Sequence, residues 1–454
     1  MSRIGIVGGG PAGLALAHDL SGAGHEVSVF EAGPELGGLA RSFDLGDLRI
    51  ERYYHFLCAD DAGYFRKLGE LGIADRLRWR PTRMGFYYRG RLYPWSSVGD
   101  LLAFGGLSLA GRLRYGATAF YCSHLSSWRR LDRLAAEPWL IRLLGRRAYL
   151  ATWYPLLHVK FNQHHDQISA AWVWHRIHRV ARSRKTPFHR ERLGYLEGGT
   201  ETLVAALEAE LRARGVALHT ATPVRRILVE GGKAVGLATG DGRRFDFDRV
   251  VSAVPLPHFL QMAPDLPEGY RTSLAGIEFL GVLCVTLHLS RPLSDNFWLN
   301  VNDPRIPFNG CIEYTNLNPA MAPDGSSILY VPFYLPRDDP RFRQSDEAAV
   351  AQCLAALALV NPDFDASWVI DRAVSRDPYA QVVCTTGFAD RVPSHRTPVA
   401  HLYLIDSSQL YPSDRTIGGT VDLARAVARR IGEDEQEAGF SAAARPAARP
   451  ARSR

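Results

Sequence analysis

Short apolar runs followed by glycine, then by a helix-length stretch, recur at the start, middle and end of the chain. Ile4, Ile6 and Val7 make the first run, and the Ala/Leu-rich stretch from Ala12 to Ala23 predicts the helix behind it. Gly22 and Gly24 end that helix, and Val27 to Phe30 is the next strand. The grammar returns after Gly198-Gly199-Thr200, with a helix over Glu201–Arg214 and a strand at Val216–His219. Next come a glycine-turned hairpin over Val224–Leu237 and a buried strand, Arg249–Val254. It returns a last time at His401–Asp406, a strand, and Val421–Ile431, a helix opened by Gly418-Gly419-Thr420.

Between these units the pattern changes. Phe43–Ile50 reads as a short hairpin, Ala59–Leu71 as a helix, and Phe86–Pro94 as a hairpin turning at Arg89-Gly90. A mostly helical stretch then runs to about Val180. From Ile277 to Thr386 strands dominate: Val282–Leu289, Phe297–Val301, Cys311–Tyr314, Ile328–Tyr334 and Trp368–Ala373, with one helix over Glu347–Leu359. The pattern predicts an α/β protein whose Rossmann-type domain is discontinuous, assembled from residues 1–78, 193–255 and 396–432. A second domain is expected from a helical insertion, 79–192, and an antiparallel sheet, 256–395. The Ala/Pro/Arg-rich residues 433–454 are expected to be a disordered tail.

The glycines behind the first strand carry chemistry. Gly8, Gly10 and Gly13 stand at GxGxxG spacing: Gly8 for the tight turn, Gly10 for close approach of a pyrophosphate, Gly13 for packing of the helix on the strand. Pro11 and Ala12 open that helix, whose N-terminal amides point at the phosphates. Glu31 ends the second strand, where a carboxylate can accept both ribose hydroxyls and disfavours a 2′-phosphate. Glycines also mark ordinary turns, but here strand, helix and acid are all in place, which predicts a dinucleotide site.

The run Pro34-Glu35-Leu36-Gly37-Gly38-Leu39-Ala40-Arg41-Ser42 follows at once. It resembles the second fingerprint of the superfamily that holds the flavin amine oxidases, protoporphyrinogen oxidases and phytoene desaturases. The resemblance implies non-covalent FAD, with Gly37, Gly38 and Arg41 as contacts and the backbone of Val224 against the adenine. In that superfamily an acid at the last strand's end binds the ribityl chain and the last helix faces the flavin's pyrimidine edge, which points to Asp406, Gly419 and Thr420. Two features depart from the pattern: Ile405 replaces the usual glycine, and Ser407 to Arg415 is inserted before the helix.

That insertion, with Tyr411 and Arg415, is similar to the tyrosine-rich C-terminal stretch of the UDP-galactopyranose mutases. So is the segment around His55 with the pair Asp60-Asp61, although Cys58 stands where those enzymes usually have a second histidine. His55, Tyr411 and Arg415 are therefore the catalytic candidates, with a buried structural histidine as the competing reading of His55. Amine oxidases of the superfamily carry a lysine on a strand of the substrate domain. The corresponding strand, Leu280–Leu287, has none, and Lys67, Lys160, Lys185 and Lys233 all lie elsewhere. Amine oxidation thus ranks below desaturation or porphyrinogen-type oxidation. The expected function is an FAD-dependent oxidoreductase acting on a bulky, partly apolar, anionic molecule such as an isoprenoid or porphyrinogen. The alternatives are a redox-neutral mutase on a nucleotide sugar and a non-catalytic FAD-binding protein.

Composition narrows the setting. The 454 residues suffice for two domains, and 46% hydrophobic residues is globular. The first strand begins within a few residues of Met1, which leaves no room for a signal peptide, and no apolar run reaches membrane-spanning length. The six cysteines show no CxxC spacing, which fits a reduced cytoplasm. The net charge of +7 is concentrated between Arg112 and Arg192, where 16 Lys+Arg face four acids. A solvated arginine-rich surface accounts for this as well as an anionic substrate or the inner face of a membrane does. Leu101–Leu125, broken by Gly105-Gly106, reads as a buried helical pair, an interfacial segment or the cover of an apolar channel. Arg142 and Arg146, read as one helix, share a face with Arg147 beside them. No nucleic-acid partner is expected. His158, His164, His165, His175 and His178 lack the spacing of a two-histidine, one-carboxylate helix, and no metal is expected.

Overall fold

A computed structural model describes residues 1–183 and 191–443. Arg184, Lys185 and Arg190 of the basic segment, and residues 444–454 of the expected tail, lie outside the described residues.

The first two strands, Arg3–Val7 and Glu26–Phe30, pair in parallel through the helix Pro11–Gly22. They lie in a five-stranded parallel sheet whose order is Leu402–Leu404, Arg249–Ser252, Arg3–Val7, Glu26–Phe30, Ala217–His219. Its strands thus come from the start, middle and end of the chain. Both faces are covered, which is why Ile4, Ile6, Val29 and Val251 are fully buried and the strands read as continuous apolar runs. The helices Thr200–Ala213 and Ile417–Ala443 pack with Pro11–Gly22 against this sheet.

The second sheet has seven strands in the order Val369–Val382, Phe279–Leu289, Ser327–Leu335, Gly310–Glu313, Trp298–Asn302, Met84–Tyr88, Arg91–Pro94. Its pairs are antiparallel except Trp298–Asn302 with Met84–Tyr88, which run parallel. The hairpin Met84–Pro94 belongs to the expected helical insertion, 79–192, yet joins the sheet and extends it at one edge. Along Phe279–Leu289 every residue is buried, and alternation survives only in what each residue meets. Leu283, Val285, Leu287 and Leu289 pack with Val350, Cys353 and Leu357 of the helix Asp346–Val360. Val282 and Cys284 face the other way, among Tyr53, Cys58, Tyr314 and Tyr330.

The insertion folds as the helices Val98–Ala103, Leu109–His124, Ala136–Leu144, Arg146–Thr152, Tyr154–Phe161 and Ala170–Ser183. Gly145, at φ 84°, breaks the expected helix through Arg142 and Arg146, so these arginines sit on different helices. The last helix also runs past the expected boundary at Glu433, because acidic residues there have partners: Asp434 meets Arg396 and Tyr403, and Glu435 meets Ser2 and Arg249. No helix among the described residues is long and apolar enough to cross a membrane.

Candidate functional site

At the first turn the main chain is bare. Gly8 has φ +110°, and a Cβ on Gly13 would stand 1.9 Å from the Gly8 carbonyl oxygen, so only glycine lets the helix start this close to the strand. Gly10 is the N-cap, with Pro11 following; no side chain caps this end and no acid lies in its first turn. Gly38 faces Gly10 across the turn, and a Cβ on Gly38 would come within 3.2 Å of the Gly10 Cα. The Gly37 amide donates to the Gly9 carbonyl at 2.8 Å, which holds the two glycine loops together. An uncapped helix N-terminus opposite a second bare backbone fits a diphosphate.

The Glu31 carboxylate accepts from the Gly9 and Gly33 amides, each at 2.8 Å. These bonds fix it beside the turn and leave lone pairs for ribose hydroxyls. The Glu31 carbonyl accepts from the Thr222 amide, two residues before the buried Val224, which opens a strand of a separate three-stranded sheet, so this bond ties the start of that strand to Glu31. Arg41 is partly exposed, with Glu35 at 4.0 Å as its nearest acid.

Beyond the turn lies a cavity of about 840 Å³ between the seven-stranded sheet, the helical insertion and the start of the last helix. Tyr54, Trp153, Trp298 and Tyr334 give it an aromatic wall, and Tyr54 meets Trp298 edge to face at 5.5 Å. Its floor is organised by Glu51, a residue with no motif around it. Glu51 is 1% exposed, and its carboxylate accepts from the Thr200 amide at 2.8 Å, the His55 amide at 3.0 Å and the Tyr314 hydroxyl at 3.3 Å. It also lies 3.2 Å from His55 Nδ1, and the Glu51 carbonyl accepts from Tyr330 at 2.6 Å. One carboxylate thus ties the hairpin Ser42–Glu51, the glycine-led helix at Thr200 and the sheet together.

The opposite wall is charged. Asp414 forms an ion pair with Arg176 and accepts from Trp172 Nε1 at 3.0 Å; burial pushes its carboxyl up, but the charges of Arg176 and Lys160 hold it down at about 2. Arg179 lies 3.5 Å from Asp60 and 3.4 Å from Asp61, and the Cys58 amide donates to Asp61 at 2.7 Å. Asp60-Asp61 therefore anchors an arginine of the insertion. Burial pushes His175 down to about 4, and Ser413 lies within 3.2 Å of its Nε2. Lys160, from the helix Tyr154–Phe161, also lines the cavity.

Of the three catalytic candidates, His55 and Arg415 line the cavity. Tyr411 does not: it is buried in the insertion, donates to Asp132 at 2.6 Å and shares a 2.7 Å hydrogen bond with Ser169. The residues after Asp406 form a short 3₁₀ turn that carries the tyrosine inward. Asp406 is 4% exposed and is occupied as that turn's cap, accepting from Ser408 at 2.8 Å and Leu256 at 3.1 Å. At the last helix the cavity residues are Thr416, Ile417 and Gly418. Gly419 instead lets Leu410 pack, a Cβ there falling 2.8 Å from Leu410 Cδ2, and the Thr420 hydroxyl donates back to the Ile417 carbonyl. The last helix begins at Ile417, ahead of the expected start at Val421.

Sequence reasoning gave no site role to Glu51, Lys160, Arg176 or Asp414, which come together from separate segments. His158 and His165 do converge, from separate segments, on one carboxylate: Glu137 lies 3.3 Å from the first and 3.4 Å from the second. The two rings stack at 3.7 Å.

The family model described as flavin-containing amine oxidoreductase matches residues 11–432, from the first glycine turn to the last helix. The chain belongs to that family. It is an FAD-dependent oxidoreductase. Among curated relatives of this flavin amine oxidoreductase, the 15-cis-phytoene desaturase of Synechococcus elongatus is 23% identical over 443 residues, covering 88% of this chain and 90% of that protein. The zeta-carotene desaturase of Synechocystis is also 23% identical, over 89% of this chain and 92% of its own length. The fold matches a protein assigned as a protoporphyrinogen oxidase from Exiguobacterium at TM-score 0.75 and 21% identity, over 95% of this chain and 99% of that one. It matches reduced UDP-galactopyranose mutase at TM-score 0.74 and 15% identity, over 95% of both chains.

Proposed function

We propose that this flavoprotein oxidises a bulky, partly apolar small molecule by oxidase- or desaturase-type chemistry, with substrate held in the aromatic cavity. The observation that carries the reading is the cavity itself: about 840 Å³, aromatic on the sheet side, reaching the start of the last helix. The relatives named as carotene and phytoene desaturases support an apolar carbon skeleton. The strand Phe279–Leu289, where amine oxidases of the resemblance carry lysine, presents Val282 and Cys284 instead.

In this reading Gly8, Gly10, Pro11, Ala12 and Gly13 take the FAD diphosphate on main-chain amides, with Gly37, Gly38 and Arg41 opposite. Glu31 takes the adenosine ribose, and the Val224 backbone lies at the adenine. Asp406 stands at the ribityl chain, and Gly419 and Thr420, with Thr416, Ile417 and Gly418 before them on the cavity, present the last helix to the ring. Bound non-covalently, FAD supplies the hydride-accepting chemistry. The chain's own work is to orient the substrate between Tyr54, Trp298 and Tyr334, exclude water, and fix the floor through Glu51.

A mutase acting on a nucleotide sugar is the second reading, favoured by the cationic wall of Lys160, Arg176, Arg179 and Arg415. Anaerobic mixing of the yellow protein with polyprenols, porphyrinogens, amines and nucleotide sugars separates the two. Bleaching by a polyprenol or porphyrinogen supports the oxidase reading. Turnover of a nucleotide sugar only after chemical reduction, without net oxidation, contradicts it.

The helix Leu109–His124 covers one side of the cavity with Tyr115 and Ala119. Its Leu109, Leu113 and Phe120 are 68%, 63% and 67% exposed, next to Arg112 and Arg114. An apolar face flanked by arginine supports peripheral contact with an anionic membrane, from which an apolar substrate would enter.

A further inference from the structure

Lys160 is 5% exposed, yet no carboxylate among the described residues comes within ion-pairing distance of it. The one acid near enough to act on it, Asp414, is already taken by Arg176 on one oxygen and Trp172 on the other. The Lys160 ammonium is instead caged by aromatic rings, with centroids at 4.7 Å for Tyr334, 5.2 Å for Trp172 and 5.7 Å for Phe161. It sits in the last turn of its helix, where the carbonyl ends favour a cation. Rings and dipole hold the charge in place, but neither accepts the ammonium's three strong hydrogen bonds. Arg415, also on the cavity, has no ion pair among the described residues. Around Lys160, therefore, the cations Arg176 and Arg415 meet a single carboxylate, Asp414, at this end of the cavity. A buried ammonium with no carboxylate in direct contact is costly, and an incoming oxyanion reduces that cost.

We propose that Lys160 is the anion-binding residue of the cavity, and that the substrate carries an oxyanion, a carboxylate or a phosphate, on its apolar body. The proposal rests on the reading of this cavity as the substrate site. It joins the two halves of the cavity: the aromatic wall takes the skeleton, and Lys160 takes the charged end.

The test is calorimetric titration of the holoprotein with benzoate and with phenyl phosphate, using benzyl alcohol as the uncharged control. Lys160→Met should weaken both anions by about tenfold or more. It should leave benzyl alcohol and FAD content unchanged, and Lys160→Arg should recover most of the loss. Burial lowers Lys160 to about 8, so wild-type affinity for the anions should fall as pH rises from 7 to 9, and the arginine variant should not follow. The other groups facing Lys160 do not titrate in that window. Asp414, near 2, stays ionised, and burial pushes Cys384 and Tyr334 up, so both stay neutral; the remaining groups facing Lys160 are the guanidinium groups of Arg176 and Arg415. Equal affinity in Lys160→Met, a flat wild-type profile, or failure of both anions to bind an FAD-loaded protein would overturn the proposal. A wild-type protein that binds both anions but carries no FAD would uphold the anion site and contradict the flavoprotein reading.

Discussion

At the Gly8–Gly13 turn, what the chain offers a ligand is main chain: amides at an uncapped helix end and the bare backbone of Gly38 opposite. In the cavity it offers side chains drawn from distant segments, with Glu51, Lys160, Arg176, Trp298, Tyr334 and Arg415 meeting only after folding. A main-chain site demands glycine at fixed short spacing, because a Cβ would collide or the backbone must take positive φ. A side-chain site demands no spacing, since the fold supplies proximity. The first can thus be read from a few dozen residues, and the second cannot.

Substitutions at the turn and in the cavity should therefore fail differently. The largest effect is expected from Gly13→Val, whose Cβ would lie 1.9 Å from the Gly8 carbonyl. Flavin absorbance per protein should fall to background, and a variant that keeps wild-type flavin content would show that the turn tolerates a side chain. Next is Glu51→Ala, which leaves the Thr200 and His55 amides and the Tyr314 hydroxyl without their acceptor. Unpaired buried donors cost ~1–3 kcal/mol each, so thermal unfolding should shift down by several degrees. An unchanged midpoint would mean that Glu51 does not tie the floor together. Glu31→Ala should lower FAD affinity by about tenfold to a hundredfold, from ~1.5–3 kcal/mol of charge-assisted hydrogen bonding. Equilibrium dialysis measures it, and wild-type retention would take Glu31 off the ribose. The smallest effect concerns the cavity's outer cover. Leu113→Glu with Phe120→Glu should weaken binding to anionic liposomes while leaving FAD content intact, and equal sedimentation with liposomes would remove the membrane contact.

The same division explains what was legible. Strand, turn, helix and acid from Ile4 to Glu31 can be read directly, because each step is local. The discontinuous α/β organisation followed from the recurrence of that grammar at three places. The parallel pairing of Trp298–Asn302 with Met84–Tyr88 was not visible, since nothing local records which edge a hairpin joins. The helix break at Gly145 needed a φ of 84°, which a lone glycine does not announce. Tyr411 was expected as a catalytic candidate and Asp406 at the ribityl chain; nothing local recorded that Tyr411 would donate to Asp132 or that Asp406 would cap the Ser407–Leu410 turn. Lys160 was noticed as one of four lysines, and only the fold brings it to the cavity from a helix rather than a strand.

The central claim is that this chain is an FAD enzyme whose cofactor is held by the glycine turn and Glu31. Release of flavin from the purified, folded protein by heat or acid, with chromatographic identification, tests it most directly. The account predicts intact FAD, equimolar with the chain and fully in the supernatant, with wild-type content depending on Gly13. Recovery of FMN, of flavin that stays attached to the precipitated chain, or of no flavin from a well-folded sample would contradict it.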